Sequence, residues 1–302
     1  MTNTGKFVRG TTITFTTGVL NLIIGVGTSV ILARALGPEG KGVYTLATLL
    51  PSLIVTFGNL GIGPATVYYV ARGRFRRQEI LGNNLLLGLG IGAIGILAGL
   101  AVTMFYRRVI FPGVAQYYLL LALILVPVEV LFFYAQSFLL GLQHVKEFNY
   151  VSIAQAALFF ALITIAVVGL KSGVTGAITA GVISWLIAGV LVFRWAKKAA
   201  GGIEFRPNAA YARGAISYGL QAHLSNILGF LNYRIDMFLV NGFLGPAAVG
   251  LYSIGVGLVE KLWMISQAAS TVLLPQVAAE TDEQRRKEFT PLVARTVLWA
   301  TV

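Results

Sequence analysis

Long apolar segments recur along the whole chain, and they constrain its fold more than any other feature. Each can cross a membrane, because about 20 residues rising 1.5 Å each span the hydrocarbon core. Only 11% of the 302 residues are charged, against about 25% in soluble domains. The chain is therefore predicted to be an all-α polytopic membrane protein. Its spans are predicted at residues 12–33, 43–70, 80–105, 115–140, 149–169, 173–195, 214–241 and 248–277, with a ninth beginning near residue 290.

A nine-residue sequence occurs twice in the chain. LGPEGKGVY begins at Leu36 and LGPAAVGLY begins at Leu244, which is 208 positions later, and five of the nine residues are identical. Six predicted spans separate the copies, so both should turn at the same face of the membrane. This predicts two similar six-helix bundles related by a parallel repeat, with an axis along the membrane normal. Within each copy, Gly-Pro is expected to stop the preceding helix.

The repeat predicts the domain organisation. The first six-helix bundle covers residues 1–196, a cytoplasmic linker covers 197–213, and residues 214–302 begin the second bundle. Two repeats of 208 residues would need 416, whereas the chain has 302. We therefore expect the sequence to be a fragment, with the second bundle truncated after two helices and part of a third.

The basic residues predict the orientation in the membrane. Of 23 Lys and Arg, sixteen fall in one set of segments between spans, five in the alternate set, and two inside spans. The positive-inside rule places the richer set, and with it the N-terminus, in the cytoplasm. Charges at Arg72–Arg77 and Arg194–Arg213 are then topogenic charges lying against lipid head groups, and the net charge of +12 does not imply nucleic acid.

Small and polar residues predict how the helices pack. Gly88, Gly92 and Gly95 mark the third span as a packing helix, since small residues let membrane helices approach closely. Polar stripes with helical spacing follow four spans; they either bind helices together or face a hydrated cavity between the bundles. Their members are Thr14, Thr17, Asn21, Gly25 and Thr28; Thr45, Thr48, Ser52, Thr56 and Asn59; Ser217, Gln221, Ser225, Asn232 and Asp236; and Ser253, Gly257, Glu260, Gln267 and Thr271.

Five ionisable residues lie inside predicted spans, namely Glu129, Arg234, Asp236, Glu260 and Lys261. Each costs roughly 2.5–3.5 kcal/mol at the centre of a membrane helix, so these side chains should face the protein interior and find partners. Arg234 shares a helix face with His223 and points away from Asp236, which favours pairing with Glu260, Lys261 or Glu129. Two roles stay open, a charge pair that locks helices and contact with a substrate or coupling ion.

Three segments resemble the polysaccharide-transporter branch of the multidrug/oligosaccharidyl-lipid/polysaccharide exporter superfamily, the bacterial flippases of lipid-linked oligosaccharides. These segments are ILARALGPEGKGVYTLA, NLGIGPATVYYVAR and YRIDMFLVNGFLGPAAVGLYSIG. The resemblance implies two helical bundles around a V-shaped cavity. It also implies alternating access that moves an undecaprenyl-pyrophosphate-linked oligosaccharide from the inner to the outer leaflet of the bacterial inner membrane.

The resemblance also suggests site residues and partners. It implies that Arg234 and Asp236 contact the substrate, with Lys261 a weaker assignment. Glu260, Glu129, Gln221 and Asn232 join them as polar side chains predicted to line the cavity. H⁺ or Na⁺ is the expected coupling ion, and a polysaccharide polymerase or glycosyltransferases are expected partners. No cofactor or metal site is predicted, because the chain has no cysteine and only two histidines.

Three other functions are weighed against this one. A multidrug or cation antiporter of the same superfamily should have carboxylates dominating its cavity, and the near balance of acidic and basic residues does not decide the matter. A lipid II flippase would share the fold and the head group. A membrane enzyme, such as a glycosyl polymerase, should have a large extracytoplasmic loop and catalytic residues. The outer loops here are short and no nucleotide-binding or hydrolytic motif occurs, so the chain is predicted not to be an enzyme.

Overall fold

The computed structural model describes residues 3–260, with side chains from residue 12 onward except at residue 222. Every regular element in this range is helical. The elements are α1 (Asn3–Gly58), α2 (Ile62–Arg72), α3 (Arg77–Ala101), a π-helical turn (Val102–Tyr106), α4 (Arg107–Ile110), α5 (Gln116–Ala122), α6 (Leu125–Gly141), α7 (Val145–Ile163), a second π-helical turn (Thr164–Gly169), α8 (Gly173–Ala200), α9 (Ala209–Leu244) and α10 (Pro246–Glu260).

Six segments among the described residues are long and apolar enough to cross a membrane, and α10 is a shorter apolar helix. The six are Thr12–Gly58, Arg77–Ile110, Gln116–Gly141, Val145–Gly169, Gly173–Ala200 and His223–Leu244. The first contains the span predicted at 12–33 and the first part of the one predicted at 43–70. Between them α1 turns sharply at Gly37, where φ is 68° and ψ is 179°. The prediction that Gly-Pro separates the first two spans is confirmed, although a kink replaces a loop.

Two predicted spans are interrupted in the structure. The span predicted at 43–70 breaks between α1 and α2, where Leu60 and Gly61 have positive φ angles. The span predicted at 115–140 breaks between α5 and α6, just before Pro127. Proline has no N–H, and its ring clashes with the carbonyl four residues earlier, so the chain tightens ahead of it. The Val126 N–H accordingly bonds to the Leu123 carbonyl, three residues back, at 3.1 Å.

The glycine row on α3 packs against neighbouring helices, as predicted. A Cβ atom at Gly92 would lie 2.9 Å from Cβ of Pro127, and one at Gly88 would lie 2.8 Å from Leu131. A Cβ at Gly95 would approach Val126 of α6 and Ile54 of α1 equally closely, at 2.8 Å. These contacts leave no room for larger residues, so α3 and α6 approach closely because glycine occupies the row.

The segment between α8 and α9 is held against the start of α3. A Cβ at Gly82 would lie 1.9 Å from the carbonyl oxygen of Glu204, so the backbones nearly touch. Asn83 donates to the Arg206 carbonyl at 3.0 Å and accepts from the Asn208 N–H at 2.8 Å. Asn208 also caps α9, because its side chain accepts from the N–H of Tyr211. The predicted linker is therefore a docked segment that fixes where α9 begins.

The described residues up to Leu251 form one compact unit, and the chain from Tyr252 onward belongs to a second. Helix α9, which the sequence assigns to the second bundle, packs within the first unit, against α2, α1 and α3. We use the term first bundle for α1 to α8. The described part of the second unit consists of Tyr252–Glu260 within α10, so most of the predicted eighth span and all of the ninth lie outside the described residues.

Candidate functional site

One face of α9 lies against the first bundle, and we call this face and its contacts the seam. His223, Arg234 and Asn241 share the face, because separations of 11 and 18 residues from His223 correspond to rotations of about 20° and 0°. His223 is 4% exposed and Asn241 is 1% exposed. Both contact the first bundle, so they define the direction in which the seam face points.

His223 contacts the first bundle at the break between α1 and α2. Its Nε2 atom lies 2.9 Å from the carbonyl oxygen of Phe57. A carbonyl oxygen only accepts, so Nε2 carries the proton and donates it. Because α1 ends at Gly58, the Phe57 carbonyl lacks its usual helical donor, the N–H four residues later. His223 therefore supplies a donor that the helix break removes. Tyr134 donates to the Asn59 carbonyl at 2.9 Å, and this carbonyl also accepts from the Ile62 N–H at 3.1 Å.

Asn241 contacts the first bundle at the opposite end of the seam. Its Nδ2 atom donates to the carbonyl of Pro112 at 3.3 Å, in the connection after α4. Phe238 packs edge to face against Phe111 beside it, with ring centroids 5.7 Å apart. The Asn241 Oδ1 atom is buried and has no hydrogen-bond partner. Asn241 was not among the site residues predicted from the sequence, although its seven-residue separation from Arg234 could have indicated a shared face.

Arg234 lies on the seam between these two ends. It is half-buried, as are Ile227 and Phe230 on the same face, whereas His223 and Asn241 are fully buried. The Arg234 guanidinium donates to the neighbouring Tyr233 carbonyl at 3.0 Å. The seam is therefore tight at its ends and looser in the middle, where this cation lies.

Three other predicted site residues on α9 lie off the seam face. Asn232 and Gln221 are exposed, and they lie about 180° and 160° around the helix from His223. Asp236 is half-buried at about 140° in the other sense, and its Oδ1 atom accepts from the Met237 N–H at 2.7 Å. The polar stripe of α9 thus points away from the first bundle. A substrate-binding role for these three residues stays a prediction.

Glu129 lies inside the first bundle. Its side chain lines a cavity of about 100 Å³ between α1, α6, α7 and α8, together with Tyr44, Thr48, Ser52 and Trp185. It forms no ion pair with Arg234, and no cation of the described residues lies within ion-pair distance of it. The pairing considered from sequence between these two residues is therefore absent. Glu260 belongs to the second unit, and Lys261 lies outside the described residues.

The hydroxyl groups around Glu129 leave oxygen lone pairs facing the cavity. Thr48 donates its proton to the Tyr44 carbonyl at 2.9 Å, and Ser52 donates to the Thr48 carbonyl at 3.0 Å. A hydroxyl oxygen keeps acceptor capacity after donating its proton. The polar part of the lining thus consists of oxygen acceptors and a carboxyl group, which suits a proton or a small cation, and the rest of the wall is apolar or aromatic. The cavity volume has room for several waters.

The polar stripe of the first span connects helices. Asn21 donates to the Ser152 hydroxyl at 2.9 Å, and Asn149 donates to the Thr14 hydroxyl at 3.2 Å. Ser152 and Asn149 belong to α7, so this stripe joins α1 to α7 within the first bundle. The stripe of the first span therefore binds helices together, which is one of the two roles considered for the stripes. In the second span, Thr48 and Ser52 face the Glu129 cavity.

The sequence model of a family described as "Polysaccharide biosynthesis protein" matches residues 7–279. No curated protein sequence matches the chain. The MATE multidrug transporter DinF-BH, solved as a complex, is 21% identical with a TM-score of 0.70, and the match covers 89% of this chain and 64% of that one. A MATE protein in complex with MaL6 is 20% identical with a TM-score of 0.62, covering 97% and 74%.

A third solved structure is a MOP superfamily transporter from Pyrococcus furiosus, described as having a binding pocket of reverse polarity. It is 17% identical with a TM-score of 0.60, covering 97% of this chain and 73% of that one. At these identities the likeness establishes the fold, which is that of two six-helix bundles. The chain spans less than two thirds of the DinF-BH chain. The predicted fold class is confirmed.

Proposed function

Because the chain belongs to the polysaccharide biosynthesis protein family, we propose that it works as a membrane transporter that flips an undecaprenyl-pyrophosphate-linked oligosaccharide by alternating access. The single observation that carries this proposal is the position of Arg234. It lies on the seam face of α9, between two tightly packed ends, in the segment where the packing loosens. A cation in this position suits an anionic head group.

The chemistry of the cargo explains why such a cation is needed. A pyrophosphate cannot enter hydrocarbon unaided, because an unpaired charge is very costly to bury. A guanidinium offers several N–H donors in a fixed plane, and its charge-assisted bonds to phosphate are among the strongest in proteins. The aliphatic tail can stay in the lipid while the head group passes along the seam. Asp236, which would repel the head group, lies on another face of α9.

Replacing Arg234 with alanine tests the proposal. In the host cell, Arg234→Ala should lower surface polysaccharide at least tenfold, and the lipid-linked precursor should accumulate, as measured by mass spectrometry. Arg234→Lys should retain part of the export, because it keeps the charge and loses the planar donor set. Arg213→Ala is the matched control, since Arg213 is an exposed cation at the start of the same helix. Normal export by Arg234→Ala, in a variant present in the membrane, would refute the substrate role.

A multidrug antiporter is the second candidate function, and the similarity to DinF-BH favours it. The two candidates differ in the charge that the seam should carry. A cationic drug requires carboxylates there, whereas a pyrophosphate requires cations. Arg234 on the seam face supports the anionic cargo. Efflux of a cationic dye that persists in Arg234→Ala would favour the antiporter. Mass spectrometry of the precursor that accumulates would separate a sugar-polymer precursor from lipid II.

The proposed location is the bacterial inner membrane, with the N-terminus in the cytoplasm. The docked segment between α8 and α9 lies beside the start of α3, at the membrane face where α2 ends in Arg72 and the basic residues cluster. The positive-inside rule supports the cytoplasm for this face. Membrane lipid surrounds the helices, and glycosyltransferases or a polysaccharide polymerase are the proposed functional partners.

A further inference from the structure

The two copies of the nine-residue repeat cross each other in the structure. A Cβ atom at Gly42 would lie 1.7 Å from the carbonyl oxygen of Pro246, and one at Gly250 would lie 1.9 Å from the carbonyl oxygen of Pro38. Gly42 and Gly250 are the same position of the repeat, as are Pro38 and Pro246. The contact is therefore reciprocal, as in a two-fold interface where each copy presents the same surface. We call it the hairpin crossing.

A second backbone contact joins α9 to the first bundle near the other end of the seam. A Cβ atom at Gly219 would lie 2.3 Å from the carbonyl oxygen of Leu60, and one at Gly61 would lie 2.3 Å from the carbonyl oxygen of Gly219. Tyr68 and Tyr218 stack beside it, with ring centroids 4.5 Å apart. We call this contact the helix-break crossing.

The two crossings lie toward opposite membrane faces. The hairpin crossing is at the turn between α9 and α10, beside the connection after α4 that Asn241 contacts. The helix-break crossing is ten residues into α9, which starts beside α3 at the face where α2 ends. Arg234 and the half-buried Phe230 lie between them on the seam face. The loose middle of the seam is thus bounded at each end by a contact between backbones.

We propose that the hairpin crossing and the helix-break crossing are the two gates of the seam, and that glycine at each crossing is required for that gate to close. The inference rests on the proposed alternating-access function and adds the positions of both gates. In a closed gate, two backbones are in contact. The position of an added Cβ atom is fixed by its own backbone, so no change of rotamer can relieve its clash with the backbone opposite. A methyl group at a crossing therefore separates the helices at that end.

Alanine substitutions test the two gates separately. The chain has no cysteine, so Phe230→Cys provides a single thiol on the seam face. A membrane-impermeant maleimide added to intact cells should label this cysteine several-fold faster in Gly42→Ala, because the hairpin crossing on the external side is held open. Labelling from outside should become slower in Gly219→Ala, and labelling in inside-out vesicles should become faster. Alternating access requires these opposite changes, whereas general loosening of the fold would raise both rates.

The chain offers matched controls on α9. Gly229→Ala and Gly242→Ala should leave labelling unchanged, because a Cβ at either position would have no neighbour within 4 Å. Gly250→Ala should reproduce Gly42→Ala, since it forms the other half of the reciprocal contact. Changes in the same direction for both gates, or no larger than those of the controls, would overturn the proposal.

If neither the Gly42→Ala protein nor the Gly250→Ala protein were found in the membrane, the proposal would also be overturned. The hairpin crossing would then be needed for folding. The labelling requires no cargo, so a failure of the proposed substrate would leave this result intact. A failure of the gates would likewise leave the effect of Arg234→Ala on export standing.

Discussion

At the scale of single residues, the two ionisable groups Glu129 and Arg234 lie in different environments. Glu129 lines a small cavity inside the first bundle, among hydroxyl groups whose protons are donated to backbone carbonyls. Arg234 lies on the seam, beyond ion-pair distance of Glu129. The carboxyl and hydroxyl oxygens of the cavity suit a cation, and a guanidinium suits an anion. We therefore propose that Glu129 binds the coupling ion, H⁺ or Na⁺, while Arg234 contacts the cargo.

Substituting Glu129 with glutamine removes the charge while nearly preserving the shape. Glu129→Gln should lower export at least tenfold and abolish its dependence on the ion gradient. The unsubstituted purified protein should either bind ²²Na⁺ or release a proton, and Glu129→Gln should lose that activity. The activity that is lost identifies the coupling ion. Glu147→Gln is the control, because Glu147 lies in the first turn of α7, 3.5 Å from the His144 ring nitrogen and away from the cavity. Unchanged ion binding in Glu129→Gln would exclude the cavity as the coupling site.

At the scale of elements, packing in the first bundle depends on which face of α3 carries glycine. Gly88, Gly92 and Gly95 contact α6, whereas Gly90 has no atom within 4 Å of where its Cβ would lie. Gly90 and Gly92 share one helix and similar intrinsic helix propensity. They differ in whether another helix lies against them, so they separate the contribution of packing from that of propensity.

The pair Gly92→Val and Gly90→Val measures this contribution. Gly92→Val should destabilise the protein by about 1–3 kcal/mol, the usual cost of overpacking, because its side chain would meet Pro127 of α6. Gly90→Val should cost less, since its side chain meets open space. Thermal unfolding of the purified protein in detergent compares the two. Equal shifts in midpoint would contradict close packing of α3 on α6 at Gly92.

At the scale of the whole molecule, the orientation follows from the distribution of charge relative to the helices. Arg72 and the docked segment lie at one face, and Lys171, between α7 and α8, lies at the other. A reporter fused after Arg76 should indicate the cytoplasm, and one fused after Lys171 should indicate the exterior. Alkaline phosphatase and green fluorescent protein activities give complementary readouts. The reverse pattern would overturn the orientation and exchange the sides of the two gates.

Much of the fold could be predicted from the sequence, because apolar length and periodicity are local properties of the chain. The order of the first seven spans, the separation of the first two at Gly37 and the packing role of the α3 glycines follow from such signals. The repeated motif predicted two like bundles. The breaks at residues 59–61 and 123–124 were missed, because apolar sequence continues through both.

The candidate site was predictable only in part. Periodicity assigned Gln221, Asn232 and Asp236 to one arc of α9, and His223 and Arg234 to another. Periodicity could not decide which arc faces the first bundle, since that depends on partners 129 to 166 positions away in the chain. The His223 bond to Phe57 and the backbone contact of Gly219 with Leu60 decide it in the structure. Local chemistry therefore determined the helices and their faces, and only tertiary packing determined which face meets which neighbour.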